Sequence, residues 1–425
     1  MVEYLIIGNS AAAVGAVESI RKIDKKGRII TVSNESHPLY SRPLITYLLA
    51  GQINESKMSY GDPMFYKKNN VEEVLGREVV TIHPENKKVI LSDGITLPYQ
   101  KLLLATGGCP IFPQVEGKDL AGVFTFTTLD DAKKVGEFIE RNSASSAVVV
   151  GGGLIGLKTA EALIARGIKV TIVEIADRVL SATFDRRASE IVEMALRERG
   201  CELMTKNTVS RIIGKERVEK VVLRDGTEVY CQLVIFAIGV TPNKELAKSA
   251  GIEVRKGIVV NDNMRTNLPD IYAAGDVVEA YDVVMSTNRQ IAIWPNAYIQ
   301  GNIAGFNMAG KTEKYDGSFA MNSVEICGVP TISVGLTDPQ EKGCEVLERY
   351  DEAQRTYKKI VLKDDVIVGV IFVNKIDRAG VFTGLIKNKV NVSLFKDALQ
   401  RDDFGLVWLP KIFRKHMVVG EGIEV

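Results

Sequence analysis

The chain opens on the apolar run Tyr4-Leu5-Ile6-Ile7, too short for a helix and followed at once by glycine, which reads as a buried strand. The pattern breaks at Gly8-Asn9-Ser10-Ala11-Ala12-Ala13 and resumes with small and apolar residues from Val14 to Ile23 as a helix. Lys25 to Val32 supplies a second strand. Tyr40 to Leu48 begins as a loop, with Pro43 near a helix start. Strand-like stretches at Val71 to Ile82 and Lys87 to Leu91, with a turn at Asp93-Gly94, lead to the buried strand Lys101 to Leu104. That strand ends in Ala105-Thr106-Gly107-Gly108, a tight glycine turn.

The pattern then repeats. A polar helix, Asp130 to Arg141, precedes the strand Ala147 to Val150, the turn Gly151-Gly152-Gly153-Leu154-Ile155-Gly156 and a helix to Ala165. The strand Lys169 to Val173 ends at Glu174. After a longer helix and a hairpin at Asp225-Gly226, the strand Leu233 to Ile238 closes in Gly239-Val240-Thr241-Pro242-Asn243. The chain returns through Ile258 to Val260 and reaches Ile271-Tyr272-Ala273-Ala274-Gly275-Asp276. From about Tyr315 it changes to strands with a hairpin, Tyr357 to Leu362 and Val366 to Val373 about Asp364-Asp365. The expected class is α/β, with two Rossmann-like dinucleotide-binding domains, the second inserted in the first, plus a C-terminal α+β domain. The expected boundaries are 1–109 with 241–315, 110–240, and 316–425.

A length of 425 residues fits this division, being too long for one ordinary core. Lys plus Arg number 54 against 53 for Asp plus Glu, so no global field favours nucleic acid or membrane. No basic leader precedes the first strand and no apolar run approaches the length of a membrane span, which makes the cytoplasm the expected location. The five cysteines are scattered without a Cys-x-x-Cys, and the three histidines, His37, His83 and His416, lack ligand spacing. A disulfide scaffold, a metal site and a bound iron–sulfur cluster are therefore not expected.

The second glycine turn follows the dinucleotide fingerprint in full. Gly151 permits the turn, Gly153 lets a pyrophosphate approach the backbone, and Gly156 allows the helix to pack on the strand. Leu154 and Ile155 begin that helix, whose free N–H groups and positive dipole end favour phosphate. Glu174 lies about 20 residues on, where a carboxylate accepts the ribose hydroxyls and repels a 2′-phosphate. NADH is thus preferred over NADPH, a preference that the nearby Arg178 tempers. The first turn is degenerate, with Ser10 and Ala13 at usual glycine positions, and either Asn34 or Glu35 is available as its ribose partner.

Taken together, the first turn, Ala105-Thr106-Gly107, the second turn with Glu174, Ala237 to Asn243, and Thr266 through Gly275-Asp276 stand in the order seen in pyridine nucleotide-disulfide oxidoreductases. The likeness spans roughly residues 1 to 310. It implies FAD on the first turn (Gly8, Ser10, Ala11, Ala12, Ala13), with Asn34 or Glu35, Val79, Ala105, Thr106 and Gly107 in the same site. Asp276, beside Gly275, would then hold the ribityl chain, and a helix from Asn296 to Met308 would aim its start, Asn296 and Ala297, at the flavin pyrimidine edge. NAD(H) would occupy the second turn, with Gly239 nearby.

Within the family, Tyr40-Ser41-Arg42-Pro43, Trp294 to Gly301 and Met321-Asn322-Ser323 most resemble the branch of rubredoxin reductases, NADH oxidases and the flavoprotein portion of nitrite reductases. Arg42 is then implied to contact FAD, and Pro43, Tyr47 and Lys158 stand as candidate catalytic residues. Family members that reduce disulfides carry cysteine beside the flavin, whereas Tyr40 to Tyr47 contains none. Related ferredoxin reductases often hold a Lys near flavin N5 and a Glu after the second turn; the counterparts here are Tyr47 and Lys158. The likeness therefore implies hydride transfer from NADH to flavin, then electron exchange with a rubredoxin, ferredoxin or other iron–sulfur protein. Direct reduction of oxygen and service as a flavoprotein subunit of a larger complex are the alternatives. The last domain would serve dimerisation or partner docking, its tail being mildly basic at Lys387, Lys389, Lys396, Arg401, Lys411, Arg414 and Lys415.

Overall fold

The computed structural model describes residues 2–340 and 343–409. Its first sheet is built on the strand Val2–Ile7, flanked in parallel by Ile29–Val32 on one side and Thr96–Leu104 on the other. Val71–Val74 extends the sheet at one edge, and Lys88–Leu91 and Val79–His83 add antiparallel strands at the other. Ile271–Ala273 pairs in parallel with Leu102–Leu104, so the chain leaves this sheet and rejoins it after a long excursion. The excursion builds a second sheet of five parallel strands, in the order Glu202–Met204, Lys169–Val173, Ser146–Val150, Leu233–Phe236 and Val123–Thr125. The central strands are mostly apolar and buried, as a parallel sheet covered on both faces requires.

Two expected strands are shorter than their apolar patterns suggest. Lys25 to Arg28 forms a turn, because the Asp24 carboxylate accepts hydrogen bonds from the N–H groups of Lys26 and Gly27, and the strand starts only at Ile29. The stretch Val71 to Ile82 is two strands, interrupted where Gly76 adopts a left-handed φ of 67°.

The helix Ala11–Ile23 lies against the helix Trp294–Met308 at backbone distance. A Cβ at Gly301 would sit 2.0 Å from the Ala12 carbonyl oxygen, and one at Gly305 would sit 2.4 Å from that of Ala16. Small residues four apart thus let two helices that start at the same place in the fold run together.

The last sheet is antiparallel, in the order Met321–Ile326, Val329–Gly335, Val366–Val373, Thr356–Lys363 and Glu345–Asp351. It is fastened to the second nucleotide unit by buried charge. Lys359, 5% exposed, places its ammonium 2.9 Å from Asp185, which also accepts from the Tyr357 hydroxyl at 2.6 Å and from the Ala188 amide that it caps. Lys359→Met strands a carboxylate that keeps only two partners, and is expected to cost about 2–3 kcal/mol. Urea unfolding followed by circular dichroism checks this; an unchanged midpoint would mean that the cluster does not join the two parts.

Two of the basic residues expected to form a docking tail stand in ion pairs with acidic side chains of the same chain. Lys396 pairs with Glu345 and Asp365, and Arg401 with Asp403. Lys411, Arg414, Lys415 and His416 lie outside the described residues. Among the described residues, no helix is long and apolar enough to cross a membrane.

Candidate functional site

A cavity of about 1240 Å³ opens at the C-terminal ends of the first sheet's strands, where open α/β sheets bind their ligands. The first turn forms its floor. Gly8 has a φ of 130°, and a side chain there would meet the Ala105 carbonyl oxygen at 2.2 Å, so strand and turn pack closely only with glycine. Ser10, Ala11 and Ala12 face the space, as do Asn34, Val79, Ala105, Thr106 and Gly107. Ala13 does not: it is fully buried in the helix core, as the short side chain at this position of the motif allows.

Opposite lie Gly275, Asp276 and Ala297. Among the described residues the Asp276 carboxylate has no hydrogen-bond partner, and burial pushes its pKa above the ordinary carboxylate range, with Arg42 pulling the other way. A partnerless, partly buried carboxylate beside a turn fit for pyrophosphate suits a ligand that brings hydroxyl donors. The Asn296 side chain is turned into the core, donating to the Ile291 carbonyl and accepting from Tyr315, so at this helix start the backbone is what is left to face a ligand. Glu35 and Arg42 both line the cavity, but as a pair, 2.6 Å apart.

At another wall stand Pro43, Tyr47, Leu154, Ile155 and Lys158, joined by Ser323, Val324 and Glu325 of the last sheet. Lys158 is not a free cation. Its ammonium pairs with Glu161, donates to the Glu325 carbonyl at 3.1 Å and lies 5.4 Å from the centre of the Tyr47 ring. Tyr47 and Lys158 therefore border the space as one stacked pair. Glu161 in turn accepts from the Cys327 amide at 2.9 Å, so this helix grips the last sheet where that sheet closes the cavity.

The second turn lies outside this space. Gly151, Gly153, Gly156, Glu174 and Gly239 do not line it; only the helix start beyond the turn does. The Glu174 carboxylate accepts from the Gly152 and Ala176 amides, which fixes it at the end of its strand. Arg178 is held by Asp177 at 3.0 Å and by Asp338 at 2.9 Å.

Several lining groups escaped the sequence. Ser323 to Glu325 reach the cavity from a distant sheet, and Thr127 and Thr128 from the start of the helix Leu129–Asn142. The spacing Gly301-x-x-x-Gly305 was the one legible signal of close helix packing. Cys109 also lines the cavity; burial, and then nearby Glu78, push its thiol up, away from the reactive thiolate.

Residues 2–301 match the family profile of pyridine nucleotide-disulphide oxidoreductases, and residues 321–390 that of the rubredoxin NAD+ reductase C-terminal domain. The NADH-dependent phenylglyoxylate dehydrogenase subunit epsilon of Aromatoleum evansii is 34% identical over 92% of this chain and 93% of its own length. The nitrite reductase [NAD(P)H] of Bacillus subtilis is 30% identical over 92% of this chain, which spans 48% of that longer protein. The solved covalent putidaredoxin reductase–putidaredoxin complex superposes with a TM-score of 0.83 at 28% identity, covering 92% of this chain and 94% of the other.

Proposed function

Because the chain belongs to the pyridine nucleotide-disulphide oxidoreductases, and is with them an FAD-dependent NADH oxidoreductase, we propose that it exchanges electrons between NADH and an external iron–sulfur carrier. The observation that carries this reading is the wall at Tyr40 to Tyr47, where no cysteine stands to relay electrons to a disulfide. The thiol of Cys109, the lone cavity cysteine among the described residues, is pushed up by partial burial and by nearby Glu78. Bound FAD supplies the exchange between two-electron hydride chemistry at the nicotinamide and one-electron chemistry at the carrier.

The chain's own part is to bind, orient and shield. In this reading residues 1–109 with 241–315 hold FAD, 110–240 hold NADH, and 316–425 close the site and meet partners. The amides at the second turn receive pyrophosphate, and Glu174 receives the ribose hydroxyls. The engagement of Arg178 with Asp338 supports NADH over NADPH, since this guanidinium is already paired with carboxylates. Tyr47 stacked on Lys158, with Ser323 to Glu325, keeps water from the reacting rings.

A second reading is favoured by the near full-length match to a dehydrogenase subunit: the chain serves as the NAD(H)-reactive subunit of a larger redox complex. Both readings place the one-electron partner off this chain. Anaerobic reduction of the yellow protein by NADH, followed in a stopped-flow cell by mixing with a rubredoxin, a ferredoxin or oxygen, tests the proposal. The expected result is faster reoxidation by an iron–sulfur carrier; much faster reoxidation by oxygen would make the chain an NADH oxidase instead.

Asp276 gives a pH dependence. Its carboxyl titrates above the ordinary range in the ligand-free protein, and ribityl hydroxyls would donate to the ionised form, so FAD binding expels a proton. Affinity is expected to fall as pH drops through that raised pKa and to level off above it. Asp276→Asn should flatten the profile, as measured by FAD titration of the stripped protein between about pH 5 and pH 8.

A further inference from the structure

The loop 35–42 crosses from the first sheet to the start of the helix Leu129–Asn142, and we infer that Glu35 is a positioning residue that aims Arg42 into the FAD cavity. This rests on the reading that the cavity holds FAD. In a dinucleotide unit a carboxylate past the second strand ordinarily receives the adenosine ribose. Here both Glu35 oxygens already have partners: one accepts from the Tyr40 hydroxyl at 2.6 Å, the other from the Arg42 guanidinium at 2.6 Å.

The other terminal nitrogen of Arg42 donates to the Thr127 carbonyl at 2.8 Å, and the guanidinium lies 5.4 Å from the centre of the Tyr40 ring. Two anchors on different elements and an aromatic face hold a side chain that is otherwise rich in rotamers. A guanidinium has five N–H donors, so these two bonds leave donors for a cofactor across the cavity. Tyr40 closes the loop by accepting, at 3.1 Å, the amide of Leu129, which has no partner within its own helix. One carboxylate thus orients Arg42 on the cavity side and Tyr40 on the seam side.

These two duties are separable. FAD dissociation constants are measured by titrating FAD-stripped protein and following flavin fluorescence, for Glu35→Gln, Arg42→Ala, the double variant and Tyr40→Phe. Each of the first two is expected to weaken FAD about tenfold, the loss of one charge-assisted hydrogen bond. The double variant should stay within about twofold of Arg42→Ala, because Glu35 acts only through Arg42. Tyr40→Phe breaks the seam bonds but leaves Glu35 on Arg42, and should keep FAD affinity within about twofold of the parent.

Additive losses in the double variant would show Glu35 touching the cofactor on its own, and would overturn the inference. Equal losses in Tyr40→Phe and Glu35→Gln would reduce Glu35 to a seam contact, with the same effect. An unmodified protein that takes up no FAD would instead sink the underlying reading of the cavity.

Discussion

Gly156→Val yields a protein that keeps its FAD and is no longer reduced by NADH. A Cβ at this position would stand 2.0 Å from the Gly151 carbonyl oxygen, a contact between two stretches of backbone that no rotamer relieves. The helix must then move off the turn, and the amides that receive the pyrophosphate move with it. The large cavity is lined by the first turn, not by Gly156, so FAD retention is expected to persist. We expect a loss of at least about 100-fold in kcat/KM for NADH, or roughly 2.7 kcal/mol of transition-state stabilisation. Single-turnover reduction of the flavin absorbance measures it directly. Reduction at the parent rate would mean that the nucleotide binds elsewhere.

Gly301→Val acts on the other cofactor and on stability together. The added Cβ would lie 2.0 Å from the Ala12 carbonyl oxygen and 2.7 Å from the Ala12 Cα. The helices Ala11–Ile23 and Trp294–Met308 must part, and with them the two helix starts that face one cavity. Overpacking two backbones has no cheap relaxation, so a loss of about 4 kcal/mol and purification without flavin are expected. The FAD content of the purified protein and its urea midpoint are the readouts. Ile299→Ala, at a 47% exposed residue of the same helix, should leave both unchanged.

The legible parts of this site are those in which a local pattern and its chemistry coincide. Gly8, Gly151 and Gly156 announce themselves because each backbone approach excludes a side chain, a constraint read one residue at a time. The strand ends at Ala105 to Gly107 and Gly275-Asp276 were legible for a similar reason: a buried apolar run stops at a turn. Helix starts were legible to within a few residues, as at Leu129–Asn142, where Thr128 and Asp131 form a capping box. The direction of the Asn296 side chain was not legible, because Tyr315, on a later segment, draws it inward. The partners of Lys158 were legible only in part: Glu161 was visible one helical turn away, but the Glu325 carbonyl was not.

The sequence by itself determined the order of strands, turns and helices, the two nucleotide turns and their inequality, and the missing cysteine beside the first. All of these depend on neighbours a few residues apart, where backbone geometry and hydrogen bonding are local. Only the tertiary structure decided where charge goes. It tied Glu35 to Arg42, Lys158 to Glu161, Arg178 to Asp338 and Lys359 to Asp185, and it closed the cavity with Ser323 to Glu325. A partly buried charge must find an opposite partner in space, and for Arg178 and Lys359 that partner comes from a segment far away along the chain.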